Sequence, residues 1–315
     1  MELANEIFDY QINQIQVFGS WDRKIKSLQK KTSSSDLLQL HEFRFLPISF
    51  FKTHTLFQKE MLTPHLVFES SGTTTTINSK HFVQDEQIYI QSFTQAFELF
   101  YGRISDYCIL GLLPSYLERN NSSLVYMVNN FIATSNHKKS NFYLHNFSEL
   151  HQTLSELEAL KQPTLLIGVT YALLDFAEQF PISLNNTIVM ETGGMKGRKK
   201  EMLRHEVHHY LQQQFNCNTI HSEYGMTELL SQAYATKDGR FVCPPWMKVL
   251  VRSEDDPLTI HTTGKGILNI IDLANVHSCS FIATDDVGIV YEDGSFEVLG
   301  RLDNSDLRGC SLMYN

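Results

Sequence analysis

The sequence PTLLIGVTYALLDFAEQFPISLNNTIVMETGG spans residues 163–194 and decides the fold class. The apolar run at residues 165–167 predicts a buried strand, and Thr170 is placed to cap a helix over residues 171–180. A second strand is predicted at residues 187–190. A strand, a helix and a strand in this order predict an α/β sheet that is covered by helices.

The same alternation continues on both sides of this stretch. Asp85 is placed to cap a helix that ends at Gly102, and an apolar strand is predicted at residues 107–111. Leucines at helical spacing predict a helix over residues 150–160, with Ser148 as its cap. Further predicted elements are a helix over residues 198–215 and a strand at residues 219–220.

The last third of the chain changes to short strands. They are predicted at residues 249–251, 266–273, 288–291 and 296–299, and Asp293-Gly294 is a strong hairpin signal. We therefore expect an α/β body over residues 1–236, a β-rich, barrel-like subdomain over residues 237–302, and a short C-terminal tail over residues 303–315.

Composition excludes several classes of protein. The 315 residues carry 26 basic and 35 acidic side chains, a net charge of -9, which disfavours binding to a nucleic-acid backbone. The longest apolar stretch, residues 164–177, is too short to span a membrane and contains Asp175. The N-terminus lacks the pattern of a signal peptide, so we expect a cytoplasmic protein.

The cysteines predict reduced thiols. Because their number is odd and no two are closely spaced, neither a disulfide framework nor a zinc ribbon is expected. The five are Cys108, Cys217, Cys243, Cys279 and Cys310.

Four short motifs carry the candidate chemistry. The loop at residues 70–76, SSGTTTT, offers hydroxyl and amide donors to a polyanion. The stretch at residues 222–228, SEYGMTE, follows a strand and is predicted to open a helix, a position where α/β sheets bind ligands. TDDVG at residues 284–288 and GRLD at residues 300–303 offer a carboxylate and a guanidinium that can clamp ribose hydroxyls.

In this order, the motifs resemble those of adenylate-forming enzymes over roughly residues 64–310. The segment ETGGMKGR at residues 191–198 and the ending RGCS at residues 308–311 look closest to the acyl-protein synthetases of the LuxE type, which are related to the phenylacetate–coenzyme A ligases. The resemblance implies an N-terminal domain of the adenylate-forming fold. It also implies ATP-dependent activation of a carboxylic acid, most naturally a fatty acid, with an aryl acid as the competing substrate.

The resemblance also implies roles for individual residues, with ATP and Mg²⁺ as the required cofactors. Thr227 would contact the α-phosphate, Glu228 would bind Mg²⁺, and Tyr224 would stack on adenine beside Gly225. Asp286 and Arg301 would hold the ribose. The remaining nucleotide-binding positions would be Ser70, Ser71, Gly72, Thr73, Thr74, Gly193 and Gly194.

The chain departs from the family pattern at two places. Thr75 stands where the first loop usually has Gly, and the loop lysine is missing, with Lys80 as a later substitute. We also expect residues 303–315 to form a short tail in place of the usual lid domain. Acyl-protein synthetases share such an ending with an acyl-accepting cysteine, which here matches Cys310. The resemblance therefore implies Cys310, coenzyme A or the thiol of a carrier protein or partner reductase as the acceptor, while a lone cysteine such as Cys310 is equally typical of a small apolar side chain in a final turn.

Two alternatives come from other functional classes. The first is a subunit that binds the nucleotide or the acyl group without catalysing a reaction and that serves a partner enzyme in acyl transfer. A zinc hydrolase is suggested by His205-Glu206-Val207-His208-His209, which matches HExxH on a predicted helix. Lys200 and Arg204 on that helix oppose a dication, so we favour a chance match for the zinc pattern.

Overall fold

The computed structural model describes residues 1–28, 37–58, 64–70, 77–113, 121–144, 146–193 and 202–302. The helices are α1 (Glu2–Gln14), α2 (Gln16–Leu28), α3 (Phe50–Thr53), α4 (Glu86–Tyr101), α5 (Ser123–Ser135), α6 (Phe147–Ala159), α7 (Thr170–Gln179) and α8 (Arg204–Phe215). The strands are β1 (Leu46–Pro47), β2 (Leu66–Glu69), β3 (Lys80–Val83), β4 (Cys108–Leu112), β5 (Asn141–Phe142), β6 (Thr164–Val169), β7 (Thr187–Thr192), β8 (His221–Tyr224), β9 (Ala233–Ala235), β10 (Met247–Arg252), β11 (Ile260–His261), β12 (Gly264–Asp272), β13 (Phe281–Val290) and β14 (Phe296–Arg301).

The chain divides into two compact units. A discontinuous unit combines Met1–Glu60 with Pro245–Asn315, and a continuous unit is Met61–Pro244. The predicted boundary after residue 236 lies close to the division between Pro244 and Pro245. The prediction did not group the N-terminal residues with the β-rich end of the chain.

A six-stranded sheet forms the centre of the continuous unit, in the order β5-β4-β6-β7-β8-β9. The strands from β5 to β8 are parallel, and β9 runs antiparallel to β8. Every residue of β4 and β6 is buried, the pattern of a parallel sheet with both faces covered. The α/β fold class predicted from the sequence is therefore confirmed. A separate antiparallel pair, β2 with β3, belongs to the same unit.

Helix α4 shows why the alternation could be predicted. The Asp85 side chain accepts a hydrogen bond from the backbone N–H of Gln87, and Gly102 ends the helix with φ +78°, in the left-handed region. Between these two signals the helix buries an aromatic face formed by Tyr89, Phe93 and Phe97. Both predicted ends are confirmed.

The discontinuous unit is built on a second six-stranded sheet. Its order is β1-β13-β12-β10-β11, and β14 also pairs with β13. Asp293-Gly294 forms the predicted turn between β13 and β14: the Gly294 N–H donates to the Tyr291 carbonyl at 3.0 Å, and Gly294 has φ +80°. The β-rich last third is therefore confirmed as a curled, half-barrel sheet.

One phenylalanine ties the N-terminal helices to that sheet. The ring of Phe281, on β13, lies 5.0 Å from the ring of Phe8, 4.8 Å from Phe43 and 6.1 Å from Phe45, measured between centroids. All four rings are buried. The aromatic core of the discontinuous unit therefore joins residues from both of its sequence segments.

Two predicted helix caps are wrong. The α6 cap is Asn146, whose side chain accepts from the Glu149 N–H, so Ser148 lies inside the helix. Thr170 is the first residue of α7, and Val169 precedes it as the cap. The Thr170 hydroxyl donates to the Glu191 carboxylate at 2.9 Å, and it is therefore committed to a tertiary contact.

Three other predictions also require correction. Helix α8 begins at Arg204; residues 202–203 are not helical, and residues 198–201 lie outside the described part. The strand predicted at residues 219–220 occurs at β8. SEYGMTE does not open a helix: the chain turns at residues 227–228 and enters β9. The Thr227 carbonyl accepts from His81 Nδ1 at 2.8 Å, which takes it away from a helical partner.

In the part of the chain that the structure describes, no helix is long and apolar enough to cross a membrane.

Candidate functional site

The candidate site in the continuous unit lies where β6, β7 and β8 end. Thr170 follows β6 directly, Thr192 is the last residue of β7, and Tyr224 is the last residue of β8. Because parallel strands present their carboxyl ends at one edge of the sheet, these residues come together there. The register confirms this, since Thr192 pairs with Glu223 and Glu191 with Ser222.

Glu191 is the centre of a buried polar network at this edge. Its carboxylate accepts from the Ser222 hydroxyl at 2.6 Å and from Arg204 Nε at 3.1 Å, and His208 Nε2 lies 3.5 Å away. Burial raises the pKa of the Glu191 carboxyl, but the hydrogen bond with His208, the charge of Arg204 and the bond from Ser222 outweigh it and hold the pKa below its ordinary value. Glu191 is therefore ionised, and with Ser222, Arg204 and His208 it forms what we call the Glu191 network.

The Glu191 network contacts, through Arg204 and Phe241, the aromatic residue Tyr224 that is predicted to stack on adenine. The Arg204 guanidinium lies 4.9 Å from the centroid of the Phe241 ring, a cation–π contact. Phe241 in turn packs against Tyr224 with the ring centroids 5.7 Å apart. Tyr224 is 8% exposed. The Tyr224 ring is thus backed by Phe241 and, through Arg204, fixed to Glu191.

Glu223 is a second buried carboxyl, and its surroundings differ. Thr192 Oγ1 donates to Glu223 Oε2 across the β7–β8 pair. Burial raises the pKa of Glu223; the bond from Thr192 lowers it and the charge of Glu191 raises it, which leaves a pKa of about 7. Near neutral pH this carboxyl therefore exchanges a proton.

The Gly-Met-Thr-Glu stretch follows β8 directly. Gly225 is exposed, and a Cβ at this position would lie 2.4 Å from Glu223 Oε1, so glycine leaves room for that carboxyl. Thr227 is half-buried and Glu228 is buried. The predicted phosphate and cation residues are therefore held in a turn next to the end of β8.

The hydroxyl-rich loop connects β2 and β3. Ser70 closes its base, because the Ser70 hydroxyl accepts from the Ser79 N–H at 2.9 Å. Lys80 pairs with Glu69 at 3.2 Å on the neighbouring strand. Other predicted positions lie outside the described residues: Ser71, Gly72, Thr73, Thr74, Gly194 and Cys310.

Gly193 lies within the described part, at the end of β7. It has φ +70°, a conformation that favours glycine, and its carbonyl accepts from the Thr170 hydroxyl at 3.1 Å. The start of the Gly-Gly turn is therefore held by the same threonine that bonds Glu191.

The predicted ribose residues lie in the discontinuous unit, where they form a pair. Asp286 on β13 and Arg301 on β14 are register partners, and Arg301 Nε lies 3.4 Å from Asp286 Oδ1. The Asp286 N–H donates to the Thr284 hydroxyl at 3.1 Å, which fixes the backbone. Asp286 is buried, whereas the Arg301 side chain is 60% exposed. A buried acceptor beside an exposed donor suits recognition of hydroxyl groups.

The residues of the HExxH pattern are exposed or form hydrogen bonds with other parts of the protein, and they do not converge on one point. His205 and His209 are both exposed on α8. The Glu206 carboxylate accepts from the Leu203 N–H at 2.8 Å at the start of the helix. His208 faces Ser222 at 3.1 Å. Among the described residues no group of His, Cys, Asp and Glu is arranged to hold a metal, so the zinc interpretation has no support in this geometry.

Sequence reasoning missed the site roles of seven residues: Thr170, Glu191, Thr192, Arg204, His208, Glu223 and Phe241. One signal could have found Glu191. It directly follows the predicted apolar strand at residues 187–190, and an acidic residue next to such a strand requires partners if it is buried.

A family model described as acyl-protein synthetase, LuxE, matches residues 25–315. The chain therefore belongs to the LuxE acyl-protein synthetase family, as the motifs predicted. The comparison with curated proteins finds no match.

Solved structures confirm the fold. ATP-bound MatB from Rhodopseudomonas palustris superposes with a TM-score of 0.57 at 13% identity, over 78% of this chain and 50% of that one. The luciferase-like enzyme of the mealworm Zophobas morio gives 0.52 at 15% identity, over 78% and 60%. The N-terminal domain of FACL13 from Mycobacterium tuberculosis gives 0.51 at 13%, over 75% and 60%. The fold is that of the N-terminal domain of adenylate-forming enzymes, and the chain spans about half the length of MatB.

Proposed function

We propose that this protein uses ATP to activate a carboxylic acid as an acyl-adenylate and then transfers the acyl group to a thiol. The observation that carries the proposal is the family match over residues 25–315. The arrangement at the end of β8 supports it, because Tyr224, Thr227 and Glu228 lie together in the order that the motif requires.

Each of the two units, taken by itself, offers groups that suit part of a magnesium nucleotide. The Tyr224 ring, backed by Phe241, offers a face for the base, and Asp286 with Arg301 offers a clamp for the ribose. A bound Mg²⁺ held by the Glu228 carboxylate would neutralise charge on the phosphates. The Thr227 hydroxyl would donate a hydrogen bond to the α-phosphate. The backbone at Ser70, Gly193 and Gly225 would surround the nucleotide.

The reaction has two steps. A carboxylate oxygen attacks the α-phosphorus, forms the mixed anhydride and displaces pyrophosphate, which leaves with the bonding electrons. A thiolate then attacks the acyl carbon, forms a thioester and releases AMP, while the thiol proton passes to solvent. Donors aimed at the α-phosphate lower the barrier because both reactants of the first step are anions.

The acyl group and its acceptor are also proposed. We propose a fatty acid as the substrate, which the resemblance to the LuxE type implies, with an aryl acid as the competing substrate. The first acceptor is Cys310, and coenzyme A or the thiol of a carrier protein or reductase follows or replaces it.

The test is ATP–pyrophosphate exchange with Mg²⁺ and a panel of short, medium, long-chain and aryl acids. We expect exchange that depends on the acid. Glu228→Gln should lower the exchange rate by about a hundredfold or more, because the metal ligand is lost. Asp286→Ala should lower the exchange rate by about tenfold or more. The exposed residues Glu254→Gln and Asp255→Ala are matched controls in which the rate should be unchanged.

The outcomes separate the functional classes. Exchange that Glu228→Gln and Asp286→Ala leave intact would overturn the assigned roles. Saturable ATP binding without exchange for any acid would identify a binding subunit that does not catalyse. Cys310→Ala should preserve exchange and abolish an acyl thioester on the protein, whereas a surviving thioester would move the acceptor to another thiol.

A further inference from the structure

The pairing of β12 with β13 is interrupted beside Asp286. Between two paired positions of these strands, β12 has one residue, Leu268, whereas β13 has three, residues 284–286. We call these three residues the β13 bulge. A bulge bends its strand and changes the direction of its side chains, and bulges are common next to active sites. The β13 bulge therefore sets the direction in which the Asp286 carboxylate points.

Arg252 on β10 holds the β13 bulge from the far side of β12. The strand order of the sheet places β12 between β10 and β13. Arg252 Nη2 donates to the Thr284 carbonyl at 2.6 Å, and Arg252 Nη1 donates to the Leu268 carbonyl at 3.2 Å. One guanidinium therefore bonds both the bulge and the residue that lies opposite it.

The hydrogen bonds continue from Thr284 to Asp286. The Thr284 hydroxyl donates to the Leu268 carbonyl at 2.8 Å and accepts from the Asp286 N–H at 3.1 Å. Thr284 and Leu268 are both fully buried, so water does not compete for these bonds. The backbone of Asp286 is thus fixed to Thr284, and the carbonyl of Thr284 is fixed to Arg252.

The burial of Arg252 is costly for the fold. Its acceptors in the described part of the chain are uncharged oxygens, the two carbonyls and Asn269 Oδ1 at 2.7 Å. Burial lowers the pKa of Arg252, although the charge of Asp285 acts in the opposite direction. Asn269 Nδ2 is also buried without an acceptor among the described residues. Because a cation on neutral acceptors stabilises a fold poorly, the geometry that Arg252 fixes explains this arrangement better than stability does.

We propose that Arg252 is a positioning residue for Asp286: it holds the β13 bulge so that the Asp286 carboxylate accepts hydrogen bonds from the ribose hydroxyls of the nucleotide. This inference rests on the proposed function, in which Asp286 binds the ribose. Hydrogen bonds weaken steeply with distance and angle. A displaced Asp286 would therefore lose the hydroxyls, while contacts to the base and the phosphates would remain.

The experiment measures the binding of ATP and of 2′,3′-dideoxyATP by calorimetry, each with Mg²⁺. Because the two nucleotides share their base and phosphates, the ratio of their affinities reports recognition of the ribose hydroxyls. For the wild-type protein we expect ATP to bind about tenfold or more tightly, and Asp286→Ala should remove most of this preference. Arg252→Met should lower the ratio by about threefold or more and change the affinity for 2′,3′-dideoxyATP by less than about twofold.

Arg252→Lys tests the geometry of the guanidinium. A single ammonium cannot reproduce the two-nitrogen contact of Arg252, so the ratio should lie between those of Arg252→Met and wild type. Arg44→Met and Arg44→Lys are the matched controls, since Arg44 belongs to the same unit, is also 9% exposed and bonds Asp22 instead of the bulge. They should leave the ratio at the wild-type value. Thermal unfolding establishes that each variant is folded, and the two lysine variants decide the result if a methionine variant is not.

A double variant distinguishes positioning from a general structural role. In the Asp286→Ala background, Arg252→Met should leave the nucleotide ratio unchanged, because the carboxylate that Arg252 positions is absent. A further loss of the ratio in that background would overturn the inference. So would an Arg252 variant that weakens the binding of both nucleotides equally.

Pyrophosphate exchange separates this inference from the proposed function. A ratio that depends on Asp286 and not on Arg252 would refute the inference, and acid-dependent exchange would leave the proposed function intact. A ratio that depends on both residues, without exchange for any acid, would support the inference and refute catalysis. Equal binding of the two nucleotides by the wild-type protein would remove the ribose role of Asp286 and the inference with it.

Discussion

Glu191 and Glu223 lie on adjacent parallel strands, one register step apart, and their carboxyls face opposite sides of the sheet. Glu191 pairs in register with Ser222, the residue before Glu223, so the two glutamates alternate in direction. The pKa of Glu191 is lowered by its hydrogen bonds and by Arg204, whereas burial raises the pKa of Glu223 to about 7. One edge of one sheet therefore holds a permanent anion and a group that titrates near neutral pH.

Glu223→Gln should stabilise the protein at high pH. The pKa of Glu223 rises from 4.5 to about 7 on folding, so its stabilising contribution is complete below pH 4.5 and is lost as the pH rises through 7. The amide cannot ionise, and at pH 8 the free energy of unfolding should exceed that of wild type by about 2–3 kcal/mol. Urea unfolding at pH 5 and pH 8 measures this, and an equal change at both would contradict it.

Glu191→Gln should have the opposite effect. Because the pKa of Glu191 is lowered from 4.5, its contribution is present above pH 4.5 and is lost as the pH falls further. At pH 7 the variant should lose about 3 kcal/mol of unfolding free energy, since Arg204 loses its charged partner. The deficit should narrow below pH 4.5. Glu98→Gln, on the exposed side of α4, is the control.

Gly225→Ala should be destabilising because of Glu223. The added Cβ would lie 2.4 Å from Glu223 Oε1, a carboxyl that the Thr192 hydroxyl holds in place. We expect a loss of about 1–2 kcal/mol, most of which disappears when Glu223 is also changed to alanine. Gly300→Ala has nothing within 4 Å of its new Cβ and should be neutral. Equal losses with and without Glu223 would refute the stated cause.

Arg301→Ala should weaken ATP binding and leave the stability of the fold nearly unchanged. Its side chain is 60% exposed, so the pair with Asp286 contributes less than about 1 kcal/mol to the fold. If Arg301 holds the ribose, calorimetry should show about tenfold weaker ATP binding with nearly unchanged thermal unfolding. Arg103→Ala breaks a comparable exposed pair, with Asp106, and should change neither quantity. An unaltered ATP affinity in Arg301→Ala would exclude this role.

The sequence predicted the elements whose signals are local. Asp85 and Gly102 bound α4 because a cap and a left-handed residue act within one turn of the helix. The Asp293-Gly294 hairpin is local in the same sense. Where a residue's partner is distant in sequence, prediction failed: Thr170 was expected to cap a helix, and its hydroxyl instead bonds Glu191.

The candidate site divides in the same way. The SEYGMTE motif and the Asp286 and Arg301 positions could be named from sequence because they stand in a recognisable order. The network around Glu191 could not, since Arg204, His208 and Ser222 come from different elements and meet only in the folded sheet. Even the turn after β8 depends on His81, a residue of a distant strand.

The pairing of Phe281 with Phe8, Phe43 and Phe45 has a consequence for synthesis of the protein on the ribosome. Phe43 emerges 281 − 43 = 238 residues before Phe281. At typical elongation rates this is a delay of about 10–50 s. The continuous unit can fold during that interval, while the N-terminal aromatic side chains await the strand that covers them. We therefore expect nascent chains of this protein to expose these apolar side chains until Phe281 has been synthesised, the condition under which chaperones bind hydrophobic sequence.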